Sequence, residues 1–221
     1  VVNDTAVVPC RLRGTLPTGG KVEIFLTDPW TLGRPADEVC LRAIGRPFRK
    51  LKPGTSISLQ GEPGFGCTIS RQSLDSQELQ VTFHTDAKTL QSYLEAGGFI
   101  PLPPYIKRQD EEAGAHSDDR DSYQTVYSNP KGSAAAPTAG LHFTDRVLQN
   151  LREHDIAMVP VTLHVGLGTF APVRDQDLSR HNMHREIYQI PQPTADAFRR
   201  RRMRRARSFL WARPHYGRWN R

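Results

Sequence analysis

The chain has 221 residues and a formal charge of +7 at pH 7, with 37% hydrophobic and 24% charged residues, the balance of an ordinary globular protein able to bury one large or two small cores. No apolar run approaches the ~20 residues of a membrane span and no signal-peptide series opens the chain, so a cytoplasmic protein without membrane contact is expected. The three cysteines, Cys10, Cys40 and Cys67, are odd in number and scattered, which excludes a disulfide framework or a CxxC metal site.

The charge is uneven. The ten arginines between Phe198 and Arg221 exceed the whole net charge and leave the rest of the chain at −3, so the basicity belongs to the tail. At the other end, Val1 to Pro9 reads as the middle of a strand and turn, and a fragment incomplete at both ends is expected. From Arg11 to Lys88 short β-type runs alternate with Gly and Pro turns: Lys21–Leu26, Thr55–Leu59, Gly66–Ser70 and Leu79–Phe83. Such spacing predicts a small β-barrel or sandwich. Lys88–Gly97 is a helix ended by glycine. Pro101–Arg108 is too proline-rich for a helix and reads as extended, and Gln109–Asp121 reads as an acidic, solvated loop.

The stretch from Gly132 to Val173 holds two glycine-punctuated loops, one ending at His142-Phe143 and the other opening at His164. Between them Thr144 caps a helix with Val147, Leu148 and Leu151 on one face, and Met158–Val165 reads as a buried strand. Glycine lets backbone approach a ligand closely, and loops at element ends are where α/β proteins place sites. Farther on, His181 and His184 precede the strand-like Ile187–Ile190. The H-x-x-H pair lacks a third zinc ligand, so no metal is assigned.

Six motifs in collinear order resemble one family: Asn3–Leu12, Pro101–Arg108, Tyr123–Tyr127, Ala136–Thr144, Leu163–Val173 and His181–Glu186. They resemble the S-adenosylmethionine:tRNA ribosyltransferase-isomerase family of queuosine biosynthesis. The resemblance covers Val1 to about Ala197, with Ala6, Cys10 and Ser122 standing where the family has Arg, Ala and Arg. It implies an α/β main domain, residues 1–10 and 89–197, carrying an inserted small β-barrel domain, residues 11–88. It implies a transferase that moves the ribosyl unit of S-adenosylmethionine onto 7-aminomethyl-7-deazaguanine in tRNA and isomerises it to epoxyqueuosine. Adenine and methionine leave. S-adenosylmethionine is substrate rather than bound cofactor, tRNA is the partner, and a monomer is expected.

That chemistry needs groups to remove a proton beside a sulfonium and to protonate departing adenine, for which His142, His164, His181, His184 and Glu186 are the candidates. Backbone amides at Ala139-Gly140 and from Gly166 through Gly168 to Thr169 can hold a carboxylate or ribose oxygens. Tyr105, Tyr123 and Phe143 offer rings for stacking. Arg108, Gln124, Pro137, Thr138 and Phe170 complete the expected substrate contacts.

Two other readings compete. Gly166–Ala171 fits G-x-G-x-x-A after a strand, with Glu186 in place for a ribose hydroxyl, as in a nicotinamide-dependent oxidoreductase. Pro172 and the polar stretch after it make a poor crossover helix for that fold. A non-enzymatic RNA-binding protein with an arginine-rich arm is the third reading. Against it, with Leu210 taken as CTG, the codons of Trp211–Asn220 can be respelled one nucleotide early as Val-Gly-Thr-Thr, a small residue, Leu-Arg, two further residues and then Glu-Ser, the pattern the family has at this point. Residues 198–221 are therefore expected to be an aberrant, frameshifted tail, and this fragment is expected to be inactive alone.

Overall fold

The computed structural model describes residues 1–29, 37–74, 77–103, 106, 115–166 and 186–203, with backbone alone for 115–118 and 201–203. The alternating runs close into a six-stranded antiparallel barrel. Its strands are β3 (Arg11–Thr15), β4 (Lys21–Leu26), β5 (Val39–Arg46), β6 (Ser56–Leu59), β7 (Gly66–Ser73) and β8 (Glu78–Phe83), closed in the order β3-β4-β5-β8-β7-β6. Period-two alternation decides which side chains go inside: Val22, Ile24 and Leu26 point in from β4, Val39, Leu41 and Ala43 from β5. Leu12, Ile69, Val81 and Phe83 complete the core, each aliphatic or aromatic side chain stabilising by about 1.5–3 kcal/mol. All four runs expected as strands are present. β3 and β5 are additional.

The helix α1 (Ala87–Gly97) follows the barrel. Asp86 caps it by accepting from the Thr89 hydroxyl at 2.6 Å and the Thr89 amide at 2.9 Å, bonds that hold its carboxyl below the usual range. Leu90 and Leu94, one turn apart, are buried, and Tyr93 donates its hydroxyl to the Gln60 carbonyl at 2.6 Å while stacking on Phe65. Within Gln109–Asp121, read as a solvated loop, the structure places a helix instead. This is α2 (Ala115–Ser122), tied to the end of α1 by Arg120, which donates to the carbonyls of Glu95 and Gly98. Tertiary hydrogen bonding, invisible to local composition, overrides the polar sequence there. Cys10 and Cys67 lie buried, which pushes their thiols up to about 12, and all three cysteines are free.

The chain divides into two compact units, Val8–Arg120, which holds the barrel, and Val1–Val7 with Asp121–Arg221. In the second unit β1 (Val2–Asn3) pairs in parallel with β10 (Pro160–His164), which pairs antiparallel with β11 (Ile187–Gln189). β2 (Ala6–Val7) pairs in parallel with β9 (Lys131–Ser133). The helix α3 (Asp145–Glu153) is capped by Thr144 as expected. Its apolar stripe, however, is not buried, and of β10 only Thr162 is. The expectation of a buried strand fails because β10 sits in a three-stranded sheet whose neighbour β11 is exposed along its whole length. The last helix, α4 (Gln192–Met203), is anchored by Thr194, whose hydroxyl donates to the Pro160 carbonyl at 2.7 Å. Residues 204–221 of the arginine-rich tail lie outside the described residues.

Candidate active site

The end of β10 and the turn between β1 and β2 meet around one imidazole. Asn3, buried, uses its side-chain amide as a strand mimic: Oδ1 accepts from the amides of Leu163 (2.9 Å) and Thr5 (3.2 Å), and Nδ2 donates to the Leu163 carbonyl (2.9 Å). Asp4 accepts from the Thr162 hydroxyl at 2.7 Å. These bonds fix the turn so that the fully buried Thr5 places Oγ1 2.8 Å from His164 Nδ1. The imidazole lies against Gly132, whose φ of +153° favours glycine. A Cβ there would sit 2.6 Å from His164 Cε1. Burial lowers the His164 pKa from its ordinary value, with Asp4 opposing the shift. The ring is therefore neutral at pH 7 and able to accept a proton.

The first glycine loop runs past this histidine. Ser133 Oγ accepts from the Val165 amide at 2.8 Å and donates toward the Ala135 carbonyl at 2.9 Å, while the Ala134 amide donates to the Val165 carbonyl at 2.8 Å. Three buried alanines, 134 to 136, then lead to Pro137 and a 3₁₀ turn over Thr138–His142. Gly140 is required at its position, since a Cβ would lie 2.4 Å from the Tyr127 hydroxyl oxygen and 2.8 Å from Thr125. Tyr127 meets Phe143 edge to face, with ring centroids 5.6 Å apart. Burial raises the Tyr127 hydroxyl above its ordinary value.

Several expected contacts take other roles. Gln124 accepts from the Val7 amide at 2.9 Å and donates to the Val7 carbonyl at 2.8 Å, so its amide holds β2 rather than facing a ligand. Tyr123 is buried, which removes its ring as a stacking platform. The Gly140 amide donates to the Pro137 carbonyl at 2.7 Å and is engaged in closing the turn. His142 is exposed at the end of that turn, and Phe143 is half-buried. Glu186 reaches back to the second loop, its Oε1 accepting from the Gly166 amide at 3.4 Å.

His164, Gly166 and Glu186 are thus brought together at the end of β10. Tyr105, Arg108, Gly168, Thr169, Phe170, His181 and His184 lie outside the described residues. Sequence reasoning met Gly132 and Ser133 only as the opening of the first glycine loop, and Asn3 and Thr5 only within a family motif, and gave none of them the role they have here, building the surroundings of His164. The signal was the run Asn3-Asp4-Thr5, three side chains able to bond backbone at the mouth of a turn, but its partner lies some 160 residues away. Among the described residues no group of three His, Cys, Asp or Glu side chains can hold a metal, and no helix is long and apolar enough to cross a membrane.

A closed barrel, a mixed sheet and a histidine packed on a glycine loop describe a two-unit α and β protein with a half-buried imidazole at a strand end. The chain belongs to the queuosine biosynthesis protein family, whose model matches residues 1–210. It is 44% identical over 207 residues to the S-adenosylmethionine:tRNA ribosyltransferase-isomerase of Citrifermentans bemidjiense, covering 94% of this chain and 57% of that protein. The enzyme of the same name from Trichlorobacter lovleyi is 41% identical, over 94% of this chain and 56% of its own length. The chain therefore spans just over half the length of these relatives. A solved structure of S-adenosylmethionine tRNA ribosyltransferase from Thermotoga maritima overlaps 93% of this chain and 48% of its own, with 19% identity and a TM-score of 0.31.

Proposed function

We propose that the protein is an S-adenosylmethionine:tRNA ribosyltransferase-isomerase. It transfers the ribosyl unit of S-adenosylmethionine to the aminomethyl group of 7-aminomethyl-7-deazaguanine in tRNA and rearranges it to epoxyqueuosine, with adenine and methionine leaving. The observation that carries this reading is the family match over residues 1–210, supported by relatives above 40% identity. The barrel is read as a small domain inserted into an α/β catalytic domain. Support comes from the grouping of Val1–Val7 with the chain from Asp121 onward.

Within that reaction His164 is assigned to proton transfer. Its lowered pKa keeps the ring neutral at pH 7, the form needed to take a proton from the carbon beside the sulfonium. Thr5 is a positioning residue that fixes the ring through Nδ1, and Gly132 leaves the space in which the ring lies. Glu186, bonded to the Gly166 amide, holds the start of the second glycine loop. His142, His181 and His184 remain the other acid–base candidates.

The test is to incubate the full-length protein with S-adenosylmethionine and tRNA carrying 7-aminomethyl-7-deazaguanine. Adenine should appear in the supernatant in step with epoxyqueuosine in the nucleoside digest. Neither product forming would overturn the assignment, and reduction or oxidation of an added nicotinamide cofactor would favour the oxidoreductase reading.

A further inference from the structure

On the barrel, β4, the end of β5 and the turn that follows it gather five cations, Lys21, Arg46, Arg49, Lys50 and Lys52, that form no ion pair with a described residue. Register sets the geometry: Lys21 lies beside Thr15, while Arg13, Glu23 and Arg46 form a row across the three strands. After β5 the chain makes a 3₁₀ turn over Phe48–Lys50. Two contacts hold that turn rigidly. Leu51 is fully buried, its methyl taking the space left by Gly45, and Gln72 donates to the Phe48 carbonyl at 2.9 Å. The turn therefore presents Arg49, Lys50 and Lys52 outward, with Lys50 Nζ reaching the Gly19-Gly20 hairpin beside Lys21.

Lys21, Arg46, Arg49, Lys50 and Lys52 are all exposed, and none forms an ion pair with a described residue. The one acid in the row, Glu23, is already held by Arg11 and, at 3.4 Å, by Arg13. Those two guanidinium groups lie over Phe25 and Phe99, at 5.5 and 4.7 Å from the ring centroids. The barrel unit as a whole is not basic, since as many acids as lysines and arginines fall between Val8 and Arg120. Five of its fourteen lysines and arginines share this rim. Like charges crowded on a rigid turn repel one another, and a repeated anion relieves that repulsion.

We propose that this rim is a docking surface for the phosphate backbone of a folded RNA, a role that rests on the tRNA-modifying reading above. An open strand face suits a spaced row of phosphates rather than one small anion, for which a concave site is the usual solution. Insertion into a lipid surface is disfavoured because, among the described residues, none of the exposed large apolar ones belongs to this rim. The bonds formed are to phosphate, so the rim sets affinity and orientation without reading bases.

The experiment compares the whole chain with an Arg49→Gln/Lys50→Gln/Lys52→Gln variant, using fluorescence anisotropy with an unmodified tRNA transcript across a salt series. Each phosphate contact adds about 0.7–0.9 to the slope of log affinity against log salt, so the triple variant should lose about 2 from the slope. Over the decade from 1 M to 0.1 M salt that is about a 100-fold weaker complex. Arginines of the tail are common to both proteins and cancel in the difference. The charge-keeping variant Arg49→Lys/Lys50→Arg/Lys52→Arg should retain the slope, which separates lost charge from lost fold, and Arg146→Gln/Arg152→Gln on α3 should leave it unchanged. An unaltered slope in the glutamine variant overturns the proposal, as does a slope loss seen with phosphatidylserine vesicles but not with tRNA. Slope loss in a protein whose full-length form releases no adenine would sustain the rim and sink the reaction. Adenine release with an unaltered slope would do the reverse.

Discussion

Gly132→Ala tests the account of the His164 surroundings with one added methyl. The new Cβ would lie 2.6 Å from His164 Cε1, 2.8 Å from Nδ1 and 3.0 Å from Nε2, against an ordinary contact of 3.4–4 Å, so the ring must move by most of an ångström. Moving it breaks the 2.8 Å bond between Thr5 Oγ1 and Nδ1, a loss of about 0.5–1.5 kcal/mol. Alanine at a φ of +153° is also strained, by about 1–3 kcal/mol. Together the substitution should destabilise by about 2–4 kcal/mol, measured by urea unfolding. A second reading is independent of stability: burial lowers the His164 pKa, so an imidazole pushed toward solvent should titrate closer to its ordinary value in NMR. A variant with wild-type stability and an unmoved His164 titration would refute the packing argument.

Other outcomes follow from the same bonds. Because the His164 pKa in the folded chain lies below its unfolded value of about 6.5, the unfolded state binds more protons between the two. The stability from His164 is thus fully present above about pH 6.5 and is lost as pH falls through the folded pKa, and His164→Gln should flatten that part of the stability–pH curve. Asn3→Ala should cost about 2–4 kcal/mol in the same unfolding assay, since the Leu163 amide and carbonyl and the Thr5 amide all lose their partner. Tyr127→Phe should hold or raise stability by up to about 1 kcal/mol, because its buried hydroxyl makes no hydrogen bond to a described residue; a loss above 1 kcal/mol would contradict this. Gly98→Ala should be severe, at about 3 kcal/mol or more, as its Cβ would lie 2.1 Å from the Pro9 carbonyl oxygen.

Legibility in the sequence followed the range of the forces involved. β4, β6, β7 and β8 could be read because Val, Ile, Leu and Phe alternate with polar residues over short runs. β5 escaped notice: Cys40, Arg42 and Gly45 dilute its pattern, although Val39, Leu41 and Ala43 still face inward. The Thr144 cap was visible, since a cap needs only its own next three residues. The burial of β10 was not, because it depends on how many layers cover the strand. At the site, His164 stood out by its glycine neighbours, whereas Asn3 and Ser133 act through bonds to backbone, and Thr5 through a bond to the His164 ring, far away in sequence. Tyr123 was expected as a stacking ring and Gln124 as a substrate contact within the Tyr123–Tyr127 motif; in the structure Gln124 bonds Val7 and Tyr123 is buried.

The most direct test of the central claim is adenine release from S-adenosylmethionine by the full-length protein and its His164→Gln variant, assayed side by side with tRNA carrying 7-aminomethyl-7-deazaguanine. The account predicts tRNA-dependent adenine release by the wild type and a loss of about 10²-fold or more in the variant, the usual cost of removing a group that transfers a proton. Wild-type protein that releases no adenine, or a variant that releases it at the wild-type rate, would contradict the account.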